Sequence, residues 1–122
     1  PSNWSQGYDC NYRADGNNSN FSMNLSSREG GNSTKSVGNY LDEWLRGRFE
    51  FSSGGVLLYE LYQTNNSKNR EDHTLIDSVT YNASGENALS NSGFCFFANN
   101  FGNGGRRSLA YYDSIKSSQD VV

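Results

Sequence analysis

The chain has 122 residues and a net charge of −3 at neutral pH. That length predicts one domain, 1–122, and the weak acidity offers no basic patch of the kind a nucleic-acid partner needs. No run approaches the roughly 20 apolar residues that cross a bilayer, so no membrane span is expected.

Leu, Ile, Val and Phe together number 23, a fraction near that of disordered chains. The low net charge and the 2 Trp, 8 Tyr and 7 Phe argue for a fold, because disordered chains are poor in aromatics. The chain opens on Pro1, which reads as a mature N-terminus left by processing. The Asn-Xaa-Ser/Thr pattern occurs at Asn3, Asn17, Asn20, Asn24, Asn32, Asn65 and Asn82. Both features predict an extracellular, secreted protein, with Asn20, Asn24, Asn65 and Asn82 as glycosylation candidates.

In chain order, "GYDCNYR" alternates Tyr8, Cys10 and Tyr12 against Asp9, Asn11 and Arg13, the period of a half-buried strand. "ADGNNSN" is a turn by composition. "NFSMNLSS" places Phe21, Met23 and Leu25 inward and Ser22, Asn24 and Ser26 outward, which would put the Asn20 and Asn24 sequons on the solvent side. "REGGNSTK" reads as a loop. Val37, Tyr40, Leu41, Trp44 and Leu45 then recur at spacings of three and four. With Ser36 as N-cap and Gly47 as stop, they predict one short helix over about residues 37–46, with Trp44 as its core anchor.

"RFEF" and "VLLYELYQ" read as two strands joined by Ser-Ser-Gly-Gly, the second central. "NNSKNREDH" is a polar loop, and "TLIDSVTYN" a strand with Leu75, Asp77, Val79 and Tyr81 on one face. "GFCFFANNFGNGGRRSLAYYD" reads as a core strand, a flexible turn and a returning strand, with Arg106 and Arg107 at the hairpin mouth. The sum is a mainly β protein: an antiparallel β-sandwich or small barrel with one short helix.

Two cysteines in a secreted chain predict one disulfide, Cys10–Cys95. Closing a loop of about 85 residues would contribute on the order of 4 kcal/mol by the chain-entropy model. Their spacing does not fit a zinc site.

Chemistry-bearing motifs are sparse. Asp15, Asn17 and Ser19 match the opening of a calcium loop, but Asn20 and Ser26 stand where its diagnostic Gly and Glu belong. Glu71, Asp72 and His73 are adjacent, and adjacent residues rarely converge on one ion. No metal or cofactor is expected. Phe96 and Phe101 fit the aromatic pair of the βγ-crystallin strand signature, but Asn103 occupies its glycine position, and no family is assigned.

Three functions follow. The first is a non-enzymatic recognition module for a glycan or other cell-surface molecule, with Trp4, Tyr8, Asn99, Asn100, Arg106 and Arg107 as candidate binding residues. Aromatic rings stack on sugars, and amide and guanidinium groups satisfy hydroxyls. The second is a small secreted toxin or effector with cell-killing activity. The third is a small ribonuclease-like hydrolase, with Glu50 as base, His73 as acid and Arg48 or Arg106 on the phosphate.

Overall fold

A computed structural model describes residues 7–14, 20–40, 42–52 and 54–90. The chain divides into two units, Pro1–Ser92 and Gly93–Val122, and every described residue lies in the first. The described part is mainly β. Strands β1 (Tyr8–Ala14), β2 (Phe21–Ser27) and β3 (Asn32–Val37) form one antiparallel sheet in that order. Strands β4 (Leu45–Phe51), β5 (Val56–Gln63) and β6 (Thr74–Asn82) form a second. Two short 3-10 turns, Arg70–Asp72 and Asn87–Ser90, complete the elements.

The alternation read from the sequence sets the inner faces. Met23 and Leu25 on β2 are fully buried, and Tyr8, Cys10 and Tyr12 on β1 pack against the same cluster. From the second sheet the cluster takes Leu57, Tyr59 and Leu61 of β5, and Val79 of β6. The apolar run of β5 makes it the central strand, as expected. Phe49 and Phe51 lie edge to face on edge strand β4 with ring centres 4.9 Å apart, and Phe51 also meets Tyr8 at 5.8 Å. The β4–β5 connection closes where Gly55 adopts φ +83°, a backbone region that side chains disfavour. Ser52 completes it by accepting the Val56 N–H on its hydroxyl at 3.1 Å.

The helix expected over residues 37–46 is absent. Val37 ends β3 opposite Phe21, and Leu45 opens β4 opposite Gln63. Between them the Tyr12 hydroxyl donates to the Gly38 carbonyl at 3.0 Å and accepts the Tyr40 N–H at 2.8 Å, holding the crossing segment in a turn. The spacing of three and four therefore joins two strand ends across a turn. A ten-residue helix is marginal in water, so strand pairing and the Tyr12 clamp prevail. Gly47, expected to stop the helix, sits inside β4, where an added Cβ would stand 3.4 Å from the Tyr59 ring. The loop read into "REGGNSTK" is shorter than expected, since β3 begins at Asn32.

The strict alternation expected for β6 also breaks. Leu61 pairs with Asp77 but Tyr62 pairs with Leu75, so Ile76 is an extra residue at a bulge. Ile76 packs against the core, and Leu75 turns to the opposite face at 48% exposure.

At one end, the two sheets are tied by a carboxylate. Glu86 accepts the Ser27 hydroxyl at 2.6 Å, the Tyr8 phenol at 3.0 Å and the Tyr81 phenol. Beside it, Glu29 caps the Asn87–Ser90 turn through the amides of Asn87 and Ala88 at 2.8 and 2.9 Å. The Ser27 hydroxyl first, then the Tyr81 and Tyr8 phenols, hold the Glu86 carboxyl below the usual carboxylate range. A depressed folded-state value adds stability above the unfolded value and loses it as pH falls through the folded one. Glu86→Gln is therefore expected to lower the melting temperature at neutral pH. The gap to the native chain should close as acid protonates Glu86, and a gap constant from neutral to strongly acid pH would refute the assignment.

Candidate functional site

Pleat parity makes the outer face of the second sheet the most chemically varied surface described. With Leu57, Tyr59 and Leu61 inward, Leu58, Glu60 and Tyr62 point out. Their ladder partners share that face, in the rows Arg46–Tyr62–Leu75, Arg48–Glu60–Ser78 and Glu50–Leu58–Thr80. The bonds from the Thr64 N–H and hydroxyl to the Trp44 carbonyl, at 3.3 and 2.8 Å, carry the ladder one step further. Trp44, two residues before Arg46, thereby joins the same side.

Trp44 is 49% exposed, so the structure corrects its expected role as a core anchor. It borders a small groove of about 70 Å³ lined also by Asp42, Glu43, Thr64, Asn65 and Asn66. One wall is a tight turn with Asn65 and Asn66 both left-handed, at φ 54° and 59°, closed by the Ser67 N–H on the Thr64 carbonyl. Asn tolerates this region better than most residues. The turn is braced from within, as Asn65 Nδ2 donates to the Asp72 carbonyl at 2.8 Å and the Ser67 hydroxyl donates to the Asp72 carboxylate at 2.7 Å. Glu43 is held by Gln63 Nε2 at 2.8 Å. An aromatic ring thus stands beside one carboxylate, Glu43, and one amide, Asn65, that are held by hydrogen bonds, an arrangement that can stack on an apolar ring face while bonding hydroxyls around its rim.

Next along the face, the Arg46 guanidinium lies 4.0 Å over the Tyr62 ring, and its Nε donates to His73 Nδ1 at 2.9 Å. Arginine can only donate, so Nδ1 is the acceptor, and the imidazole proton sits on Nε2, which donates to the Ser67 carbonyl at 2.8 Å. Both ring nitrogens are engaged, leaving neither as a metal ligand. Among the described residues, no cluster of three or more His, Cys, Asp or Glu could hold a metal ion. Burial first, then the bond to Glu60, pushes the Tyr62 phenol up. Arg48 binds Glu60 at 2.8 Å and also Glu50, and those bonds hold it protonated more firmly still.

The set Glu50, His73 and Arg48 shares this face but is not brought to one point. Glu50 is paired to Arg48, while His73 is bonded to Arg46, four residues away along β4. Four strand residues span about 13 Å, too far for one phosphate to meet both groups. Arg106 lies outside the described residues, as do Trp4, Cys95, Asn99, Asn100 and Arg107. Tyr8 faces the core side, where its phenol is committed to Glu86.

Among the sequon residues, Asn20 and Asn82 are exposed. Asn24 is on the outer face of the first sheet as expected, but only 8% exposed. Its Nδ2 donates to Asn11 at 2.9 Å and its Oδ1 accepts the Thr34 hydroxyl at 2.9 Å, so a glycan on that nitrogen would displace the ladder. Asn65 is exposed, yet its Nδ2 braces the turn. Cys10 is partly buried, and burial first, then Asp9, pushes its thiol up to about 11; Cys95, its expected disulfide partner, lies outside the described residues. The second groove, about 320 Å³ between Ser33, Thr34 and Lys35 of β3 and Ser78, Val79 and Thr80 of β6, lies beside the chain's own Lys35–Asp77 and Ser33–Thr80 bonds.

Sequence reasoning missed Trp44, Arg46 and Tyr62. The only available signal was the alternation Trp44, Arg46, Arg48, Glu50, which the helical spacing of Val37 to Leu45 obscured. No family model, curated protein or solved structure matches the chain.

Proposed function

We propose that the chain is a secreted, non-enzymatic recognition module whose partner is a glycan, bound at the outer face of the β4–β5–β6 sheet. The observation that carries this reading is the half-exposed Trp44 ring in a groove where Glu43, Thr64 and Asn65 are held by hydrogen bonds and Asp42 and Asn66 are exposed. A pyranose offers one apolar face to a ring and a rim of hydroxyls to fixed acceptors and donors, and prebraced partners lose less side-chain entropy on binding. The shared cluster of Met23, Leu25, Leu57, Tyr59, Leu61 and Val79 supports a β-sandwich as the architecture behind this face. For an extracellular chain, we further assign Cys10 to a disulfide with Cys95.

The test is binding of the native chain across an array of glycans and cell-wall polysaccharides. Saturable retention released by free sugar is the expected result. Absence of binding across the array, together with growth inhibition of exposed cells, would replace this reading with the toxin one.

A further inference from the structure

Arg46 is held by two groups at once. Its ring-facing side lies on Tyr62, and one of its five N–H groups is spent on His73. The three ion pairs among the described residues all belong to Lys35 and Arg48, so no carboxylate in that part of the chain compensates Arg46. What remains is the end-on pair of terminal nitrogens, with four N–H groups. They are held by the Tyr62 ring, over which the guanidinium carbon lies at 4.0 Å, and by the Nε bond to His73 Nδ1. An arginine held this way has already lost much of its rotamer freedom, and its fork matches a planar carboxylate with two parallel bonds.

We propose that Arg46 is the oxyanion anchor of the glycan site and selects sugars that carry a carboxylate. This inference rests on the recognition reading and narrows it to acidic glycans such as polyuronates. A single uncompensated guanidinium neutralises one carboxylate, whereas a phosphate dianion would call for a second cation, and Arg48 is already occupied by Glu50 and Glu60. Trp44 and Arg46 are an i, i+2 pair on one face, about 7 Å apart along the strand, close to the span of one sugar ring and its carboxyl group. The overall charge of −3 is screened beyond about 8–10 Å at physiological salt, but Asp42 and Glu43 line the groove at Trp44, so a bound uronate must turn its hydroxyls toward them and its carboxylate toward Arg46. Tyr62 and His73 act as positioning residues.

The experiment follows the Arg46 Nε–H resonance of the native chain during titration with glucuronate, its methyl ester, glucose and sulfate. It is paired with binding to polygalacturonate before and after methyl esterification. A saturable shift with glucuronate, absent with the ester and glucose and weaker with sulfate, is expected. Arg46→Lys should weaken polygalacturonate binding by about tenfold or more, because it keeps the charge and removes the fork. Arg28→Gln, the loss of one positive charge in the β2–β3 turn, should leave it unchanged. Tyr62→Phe should keep the stack and the affinity, and Tyr62→Ala should lose both. No glucuronate shift, an equal response to sulfate, or Arg46→Lys binding like the native chain would overturn the proposal. If neutral glycans bind through Trp44 while Arg46→Lys is silent, the recognition reading stands and the acidic preference falls. If nothing binds and no shift occurs, both fall.

Discussion

Leu57→Ala is expected to remove about 2–5 kcal/mol of unfolding free energy, read as a shift of the urea midpoint at constant slope. Leu57 is fully buried on central strand β5, between the ladder partners Phe51 and Tyr81, and joins the cluster fed by both sheets. Truncation removes apolar burial and leaves a cavity that two hydrogen-bonded neighbouring strands cannot collapse to fill. Domains of this size hold about 5–15 kcal/mol in all, so one such change takes a large share. The same measurement tests the bulge in β6. Ile76→Ala should cost more than Leu75→Ala, and the exposed Leu75 change should stay within about 0.5 kcal/mol. The reverse order would mean that β6 runs in strict alternation and that the outer face is misassigned.

Trp44→Ala is expected to lower affinity for the array-selected glycan by roughly 30-fold or more while leaving the melting temperature near native. Truncating an exposed tryptophan anchor typically costs about 2 kcal/mol or more in binding, and tenfold corresponds to about 1.4 kcal/mol. The ladder link through the Trp44 carbonyl persists, because Thr64 still reaches that carbonyl in the alanine chain. Titration calorimetry on both proteins, with melting curves run in parallel, decides the matter. Native-like affinity in the variant would remove Trp44 from the site and with it the main support for the glycan reading.

The two predictions separate two kinds of aromatic and aliphatic residue that composition cannot distinguish. Leu57 and Leu75 are the same residue type, as are Trp4 and Trp44. Of the four, the sequence singled out Trp4 as the binding residue and put Trp44 in the core. Exposure, set by which strand end and which pleat face a residue occupies, decided otherwise for Trp44.

What the sequence determined by itself was local. Tyr8, Cys10 and Tyr12, then Phe21, Met23 and Leu25, declare their strands because a period of two needs only neighbouring residues to be read. Ser-Ser-Gly-Gly marks the β4–β5 connection, and the apolar run Val56–Tyr62 marks the central strand, for the same reason. Three features were settled only by tertiary structure. The segment from Val37 to Leu45 has helical spacing, yet Tyr12, more than twenty residues earlier, clamps it as a turn. The Ile76 bulge shifts parity, which turns Leu75 outward and brings His73 to Arg46. The Arg46–His73 contact joins residues 27 apart and depends on that shift. A one-residue slip exchanges the two faces of a strand, so no local pattern foretells which side chains meet across the sheet. The candidate site lies where that long-range registration, rather than composition, sets the chemistry.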